Sequence, residues 1–141
     1  MIDGLVRLLK YLDEKLIKDC YTIKYKGTPF SLNDIYVSGN SKGAFWKRKN
    51  IKDKYGKIFE DLLEEAHSQD KLKHFERFYL CIFYNSRHDV DNIVGMGKVF
   101  ADTLRIEYVA NDNKKHYKGM TIFVDEDLEL NEFDFMIMDL K

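Results

Sequence analysis

Cysteine is scarce in this 141-residue chain: Cys20 and Cys81 are the only two. A disulfide framework or a cysteine-rich zinc site is therefore not expected, and a reducing, intracellular setting is. No run of about 18 apolar residues exists, so a membrane-spanning helix is excluded. The first twenty residues, MIDGLVRLLKYLDEKLIKDC, carry a charge every few positions, unlike a signal peptide. Proline occurs once, as Pro29, and no internal repeat or low-complexity segment is present. The histidines His67, His74, His88 and His116 lack metal-ligand spacing, which disfavours zinc. No G-x-x-x-x-G-K-S/T loop exists, and Gly95-x-Gly97 is too short to cradle a phosphate.

What is there is a large apolar fraction, 45%, with 14% aromatic residues, enough for the core of one compact domain. The net charge of −1 hides an uneven distribution. Between Lys42 and Lys57 seven bases (Lys42, Lys47, Arg48, Lys49, Lys52, Lys54, Lys57) face one acid, Asp53. Between Asp125 and Asp139 seven acids stand with no base. Such runs are either solvated faces or a phosphate-binding surface beside an acidic tail.

Hydrophobic spacing predicts an amphipathic helix over 2–18 (Ile2, Leu5, Val6, Leu9, Leu12, Leu16), then a short strand over 21–25. A long connection over 26–43 holds three glycines and the proline. A helix follows over 45–67, with Phe45, Ile51, Tyr55, Ile58, Phe59, Leu62 and Leu63 as its apolar stripe. The aromatic and β-prone stretch 75–84 predicts a central strand buried on both faces, with Cys81 as a small core residue. A second helix is expected over 93–105 with Ile93, Met96, Phe100 and Leu104 inward, then strands over 117–124 and 133–138 around a polar turn. The expected fold is a mixed α/β (α+β) domain with a small mixed sheet and packed helices.

The segment Arg87-His88-Asp89-Val90-Asp91-Asn92 carries the most chemistry. On an extended backbone Asp89 and Asp91 point the same way. Two close carboxylates repel unless a cation sits between them, and Mg2+ prefers carboxylate oxygen while keeping waters for a substrate. The simpler account is that Asp91 or Asn92 caps the following helix. Lys98, two turns after Asp91, either reaches back toward the acids or faces solvent. Asp112, inside Asn111-Asp112-Asn113, is either a third metal ligand or an ordinary turn residue.

Together these residues resemble the RusA family of Holliday junction resolvases, common in bacteriophages and prophages. Asp89-Val90-Asp91-Asn92 matches the family's D-x-D-N. Lys98 precedes Asp102-Thr103-Leu104 by the spacing of the family's lysine and its D-A-L or D-G-L end. Asn111-Asp112-Asn113-Lys114-Lys115-His116-Tyr117 is similar to the phage form D-D-N-P-K-Y. Ser31-Leu32-Asn33-Asp34-Ile35-Tyr36 and Phe45-Trp46-Lys47-Arg48-Lys49-Asn50-Ile51-Lys52-Asp53 resemble the S-L-N-x-I-Y and W-x-K-R-K-x-x-K-D patterns. The likeness covers roughly 21–138. It departs in a longer interval before the lysine, through Gly95-Met96-Gly97, in Asn111 replacing an acid, and in the first 19 residues.

Residues 1–19, which the resemblance does not account for, are expected as an N-terminal helical extension on their hydrophobic spacing, and the resemblance implies a RusA-like endonuclease domain over 20–141. It implies a homodimeric, Mg2+-dependent endodeoxyribonuclease (Mn2+ substituting) that resolves four-way DNA junctions by paired nicks. Asp89, Asp91 and Asp112 would bind the metal and Lys98 would assist the scissile phosphate. Lys42, Lys47, Arg48, Lys49 and Lys52 would contact the DNA backbone, while Phe45 or Trp46 either stacks on an unpaired base or, as is commoner for an aromatic residue at a helix start, belongs to the core. The expected location is the cytoplasm of a bacterial cell or phage-infected host, near the nucleoid and away from membranes. The alternatives are a branched-DNA-binding relative without catalysis, and an α/β protein-interaction domain whose acids are only caps and turns.

Overall fold

The computed structural model describes residues 7, 10, 13, 16–35, 42–69 and 72–141. The predicted helix over 2–18 lies mostly outside them. Of its length, Arg7 and Lys10 are helical, whereas Ile17 and Lys18 already belong to a strand. The elements run β1 (Ile17–Lys26), α1 (Leu32–Ile35), α2 (Lys42–Ser68), β2 (Phe78–Asn85), α3 (Val90–Glu107), β3 (Tyr117–Val124) and β4 (Glu132–Leu140). The domain is α+β, with one mixed sheet.

The sheet order is β1-β4-β2-β3. β4 lies antiparallel to both β1 and β2, while β3 runs parallel to β2. The parallel β2–β3 pair requires a crossover, which α3 supplies. Alternation sorts the side chains. Phe78, Leu80, Ile82 and Tyr84 of β2 and Phe133, Phe135 and Ile137 of β4 face the helices and are all but sealed from solvent. Phe59 of α2 and Phe100 of α3 meet Phe135 at ring-centroid distances of 5.2 and 4.4 Å. Both long helices thus lie on one face, and their aromatic contact is the centre of the core.

α3 comes close to the sheet because it carries a glycine there. A Cβ on Gly97 would fall 2.4 Å from Met120 Sδ and 2.9 Å from Ile82 Cδ1. Ile93, Met96, Phe100 and Leu104 point inward and are fully buried, as their spacing predicts. Phe45 does not join the predicted stripe. It is 54% exposed, and Ala44 turns inward in its place.

The acidic stretch 125–139 is not a tail. Asp134 accepts from Lys24 at 3.1 Å and Glu129 from Lys26 at 2.5 Å, so β1 lysines neutralise part of it. Its turn closes on Asn131, whose φ of 64° puts it in the left-handed region that asparagine tolerates. There its N–H donates to Asn85 O at 2.6 Å and its carbonyl accepts from Gly27 at 2.9 Å, locking three strand ends together.

Candidate nucleic-acid interface and acidic groups

α3 begins directly after β2 and displays Asp89 and Asp91 at its N-terminal end. Asp89 is the N-cap residue, with φ −70° and ψ 160°, yet its side chain makes no capping hydrogen bond. Asp91 lies inside the first helical turn. The extended-backbone argument for the pair therefore fails at Val90, where the helix has already begun. Both carboxylates are nonetheless exposed at the positive end of the helix dipole. Both also act on the phenol of Tyr84, whose pKa is raised first by burial and then by Asp89 and Asp91. That phenol donates to His88 O at 2.9 Å and so steadies the turn between β2 and α3.

α1 brings another acid to this neighbourhood. Ser31 and Asp34 form a reciprocal cap: the Ser31 N–H donates to Asp34 Oδ2 at 2.9 Å, and the Asp34 N–H donates to Ser31 Oγ at 3.3 Å. The Ser31 N–H chiefly holds the Asp34 carboxyl below its usual range, with smaller contributions from Lys47 and His88. Lys47 Nζ stands 3.9 Å from Asp34 Oδ1. Asp34 thus lies beside the basic start of α2 and feels His88 only weakly. In the sequence it was visible only as part of a resemblance motif.

Asp112 lies at the other end of α3. Asn111 Oδ1 accepts from the N–H groups of Asp112 (2.8 Å) and Asn113 (3.2 Å), an Asx-type turn that presents the Asp112 carboxylate to α3. Arg105 approaches it at 3.9 Å, and Asp102 lies within hydrogen-bonding reach. Burial raises the Asp102 carboxyl, and Asp112 raises it further, while Lys98 and Lys52 pull the other way. Eleven residues of helix, roughly 16 Å at about 1.5 Å each, separate Asp91 from Asp102. One chain therefore does not gather Asp89, Asp91 and Asp112, and no cluster of three metal-capable side chains occurs among the described residues. Lys98, one turn before Asp102, acts on that acid. Sequence reasoning missed the Asp102–Asp112 pair, although Asp102 and Lys98 share a face at i, i+4.

The basic surface lies on the first turns of α2. Lys47, Lys49 and Lys52 are exposed and Arg48 is half-buried, while the side chain of Lys42 lies outside those described. Lys49 donates to Asp53 at 2.8 Å, and Lys47 approaches Asp34. Phe45 and Trp46 stand exposed among them, edge to face at 5.7 Å, with Lys49 Nζ 5.9 Å above the indole. Phe45, Arg48, Lys49, Lys52 and Asp53 enclose a shallow cavity of about 320 Å³. Cations around exposed aromatic rings suit phosphates and unstacked bases.

No protein-family model matches the chain, and no curated protein matches it significantly.

The Mg2+ implied by the resemblance can be weighed against these donors. A hydrated Mg2+ needs only one or two carboxylates when substrate phosphate and water complete its shell. Asp89 and Asp91, exposed and uncommitted to capping, fit that requirement. No described helix is long and apolar enough to cross a membrane.

Proposed function

We propose that the protein is a metal-dependent, structure-selective endonuclease of RusA type that acts on branched DNA as a homodimer. The observation that carries this is the basic, aromatic start of α2, where Lys47 approaches Asp34, an acid near enough to His88 to feel its charge weakly, beside the end of α3 that bears Asp89 and Asp91. A phosphate backbone bound along Lys47, Arg48, Lys49 and Lys52 would pass beside those carboxylates. Phe45 and Trp46 would stack on a base left unpaired at a branch point.

Asp89 and Asp91 would hold the metal against a phosphate oxygen. A bound divalent ion would supply a water of lowered pKa and offset charge on the phosphate. Lys47, beside Asp34, would place a cation near the departing strand. Asp112 enters such a site only from a second copy, because its own α3 separates it from Asp89 and Asp91. A two-fold dimer with the α3 helices side by side and antiparallel would bring each Asp112 to the partner's acids. It would also provide two equivalent sites for a four-way junction.

The deciding experiment compares labelled four-way junctions with linear duplex of the same sequence, with and without Mg2+. Nicking of the junction alone, abolished by EDTA, is expected; no nicking in either Mg2+ or Mn2+ overturns the activity. The engagement of Asp112 by Asp102 and Arg105 favours one second reading, a branched-DNA binder without catalysis. It would retard junctions on a gel and never cut them.

A further inference from the structure

Two strands lie at the edges of the sheet, and they differ in chemistry. β1 carries Lys18, Asp19, Lys24 and Lys26, a charged edge of the kind that resists pairing. β3 carries one charge, Lys118, and among the described residues it pairs only with β2. Its end bears exposed Phe123 and Val124, and exposed Val90 and Val94 stand on the first turns of α3. An apolar edge of this kind is a template for another strand.

We propose that β3 pairs antiparallel with β3 of a second copy across a two-fold axis at Thr121, joining two four-stranded sheets into one of eight strands. The proposal deepens the dimeric reading above and rests on its dimer, not on its metal chemistry.

The strand suits pairing with itself. Centred on Thr121, the register sets Met120 opposite Ile122 on the helix side of the sheet. Phe123 falls opposite Gly119, where the Tyr79 ring already lies. Lys118 falls opposite Val124.

The helices above fit the same axis. α2 lies over β1 and β4, where Phe59 meets Tyr25 and Phe135. α3 lies over β2 and β3, because Gly97 meets both Ile82 and Met120. With strands about 4.8 Å apart, α3 of one copy would run about 9–10 Å from α3 of the other. That is the ordinary spacing of packed helices. The side of α3 turned away from α2 carries exposed Asp91, Val94, Lys98 and Arg105 at helical spacing. The two-fold axis makes the α3 helices antiparallel, so Asp91 of each copy faces the half of the other helix that bears Lys98 and Arg105. Backbone pairing, helix spacing and charge thus agree on one axis.

A residue on a two-fold axis meets its own copy at about 4.5–5.5 Å between Cα atoms, within disulfide range. In a Cys20→Ser background, with buried Cys81 kept, cysteine is introduced at Thr121 and, as control, at exposed Thr22 on β1. Mild oxidation is expected to link Thr121→Cys into a dimer and to leave Thr22→Cys unlinked. No link at Thr121, or equal linking at Thr22, overturns the pairing.

A charge swap tests the register without a cross-link. Val124→Lys sets two lysines opposite each other at both ends of the shared ladder, and like charges there repel. It is expected to raise the dimer dissociation constant at least tenfold, and adding Lys118→Glu should restore it. Light scattering during gel filtration reads the dimer, and thermal melts check that each variant is folded. An unchanged dimer in Val124→Lys, or no recovery in the double variant, overturns the register. A dimeric wild type that fails these tests overturns this interface and leaves the dimeric nuclease reading standing. A monomeric wild type overturns both the interface and that reading's dimer, whatever the junction assay shows.

Discussion

Asp91 and Asp102 sit on one helix and have opposite expected behaviour. Asp91 is exposed at the positive end of α3, and nothing in the fold relies on its side chain for a cap. Asp91→Asn is therefore expected to leave the melting temperature nearly unchanged and junction binding intact, while Mg2+-dependent nicking falls at least a hundredfold. Surviving nicking would place the metal elsewhere. Asp102 is held above its usual pKa by burial and by Asp112. Its protonated form is favoured in the fold, so the unfolded chain releases that proton first. Stability is lost as pH rises from the ordinary carboxyl pKa through the raised one. Asp102→Asn should thus raise Tm at pH 7 and leave it unchanged near pH 3, where the acid is protonated in both states. Because Asp102 keeps contact with solvent, screening limits the gain to on the order of 1 kcal/mol or less. Thermal melts across that pH range check the sign.

At the scale of elements, α2 divides into a basic first half and an acidic second half, and only the first carries exposed aromatic rings. If it binds DNA, each of Lys47, Arg48 and Lys52 changed to Gln should reduce the slope of log K against log salt by up to about 0.9. Trp46→Ala should weaken binding to junctions with unpaired bases by about 1–3 kcal/mol and spare linear duplex. Titrations at several salt concentrations measure both. In α3, Gly97 faces the flexible ends of Met120 and Ile82. Gly97→Ala should be tolerated, because those ends can move and alanine favours helix. Gly97→Leu should cost about 1–3 kcal/mol by overpacking, read from denaturant unfolding. The interior of each helix and the central strand were legible in periodicity, because core burial imposes it. The ends were less legible. α3 starts at Val90 rather than near Ile93 because Asp89 takes the N-cap position, and α2 exposes Phe45 because Ala44 meets the core.

At the scale of the molecule, the acids implied as one site fall at the two ends of a single helix. A dimeric nuclease would show this in complementation: Asp91→Asn and Asp112→Asn proteins, each inactive alone, should regain junction nicking when mixed and allowed to exchange subunits. Mixed dimers then hold one site with all three aspartates. If the acids acted within one chain, mixing would restore nothing.

The sequence by itself determined the α+β class, the inward faces of α2 and α3, the strands and the basic run, because these depend on local periodicity and composition. Tertiary structure alone decided which acids are neighbours. Asp112 lies 21 positions from Asp91, and sequence distance says nothing about which end of a rigid helix a returning loop will reach. That loop meets the Asp102 end, since β3 must start beside Phe78 to pair in parallel with β2, while Asp91 stays at the end where β2 finishes.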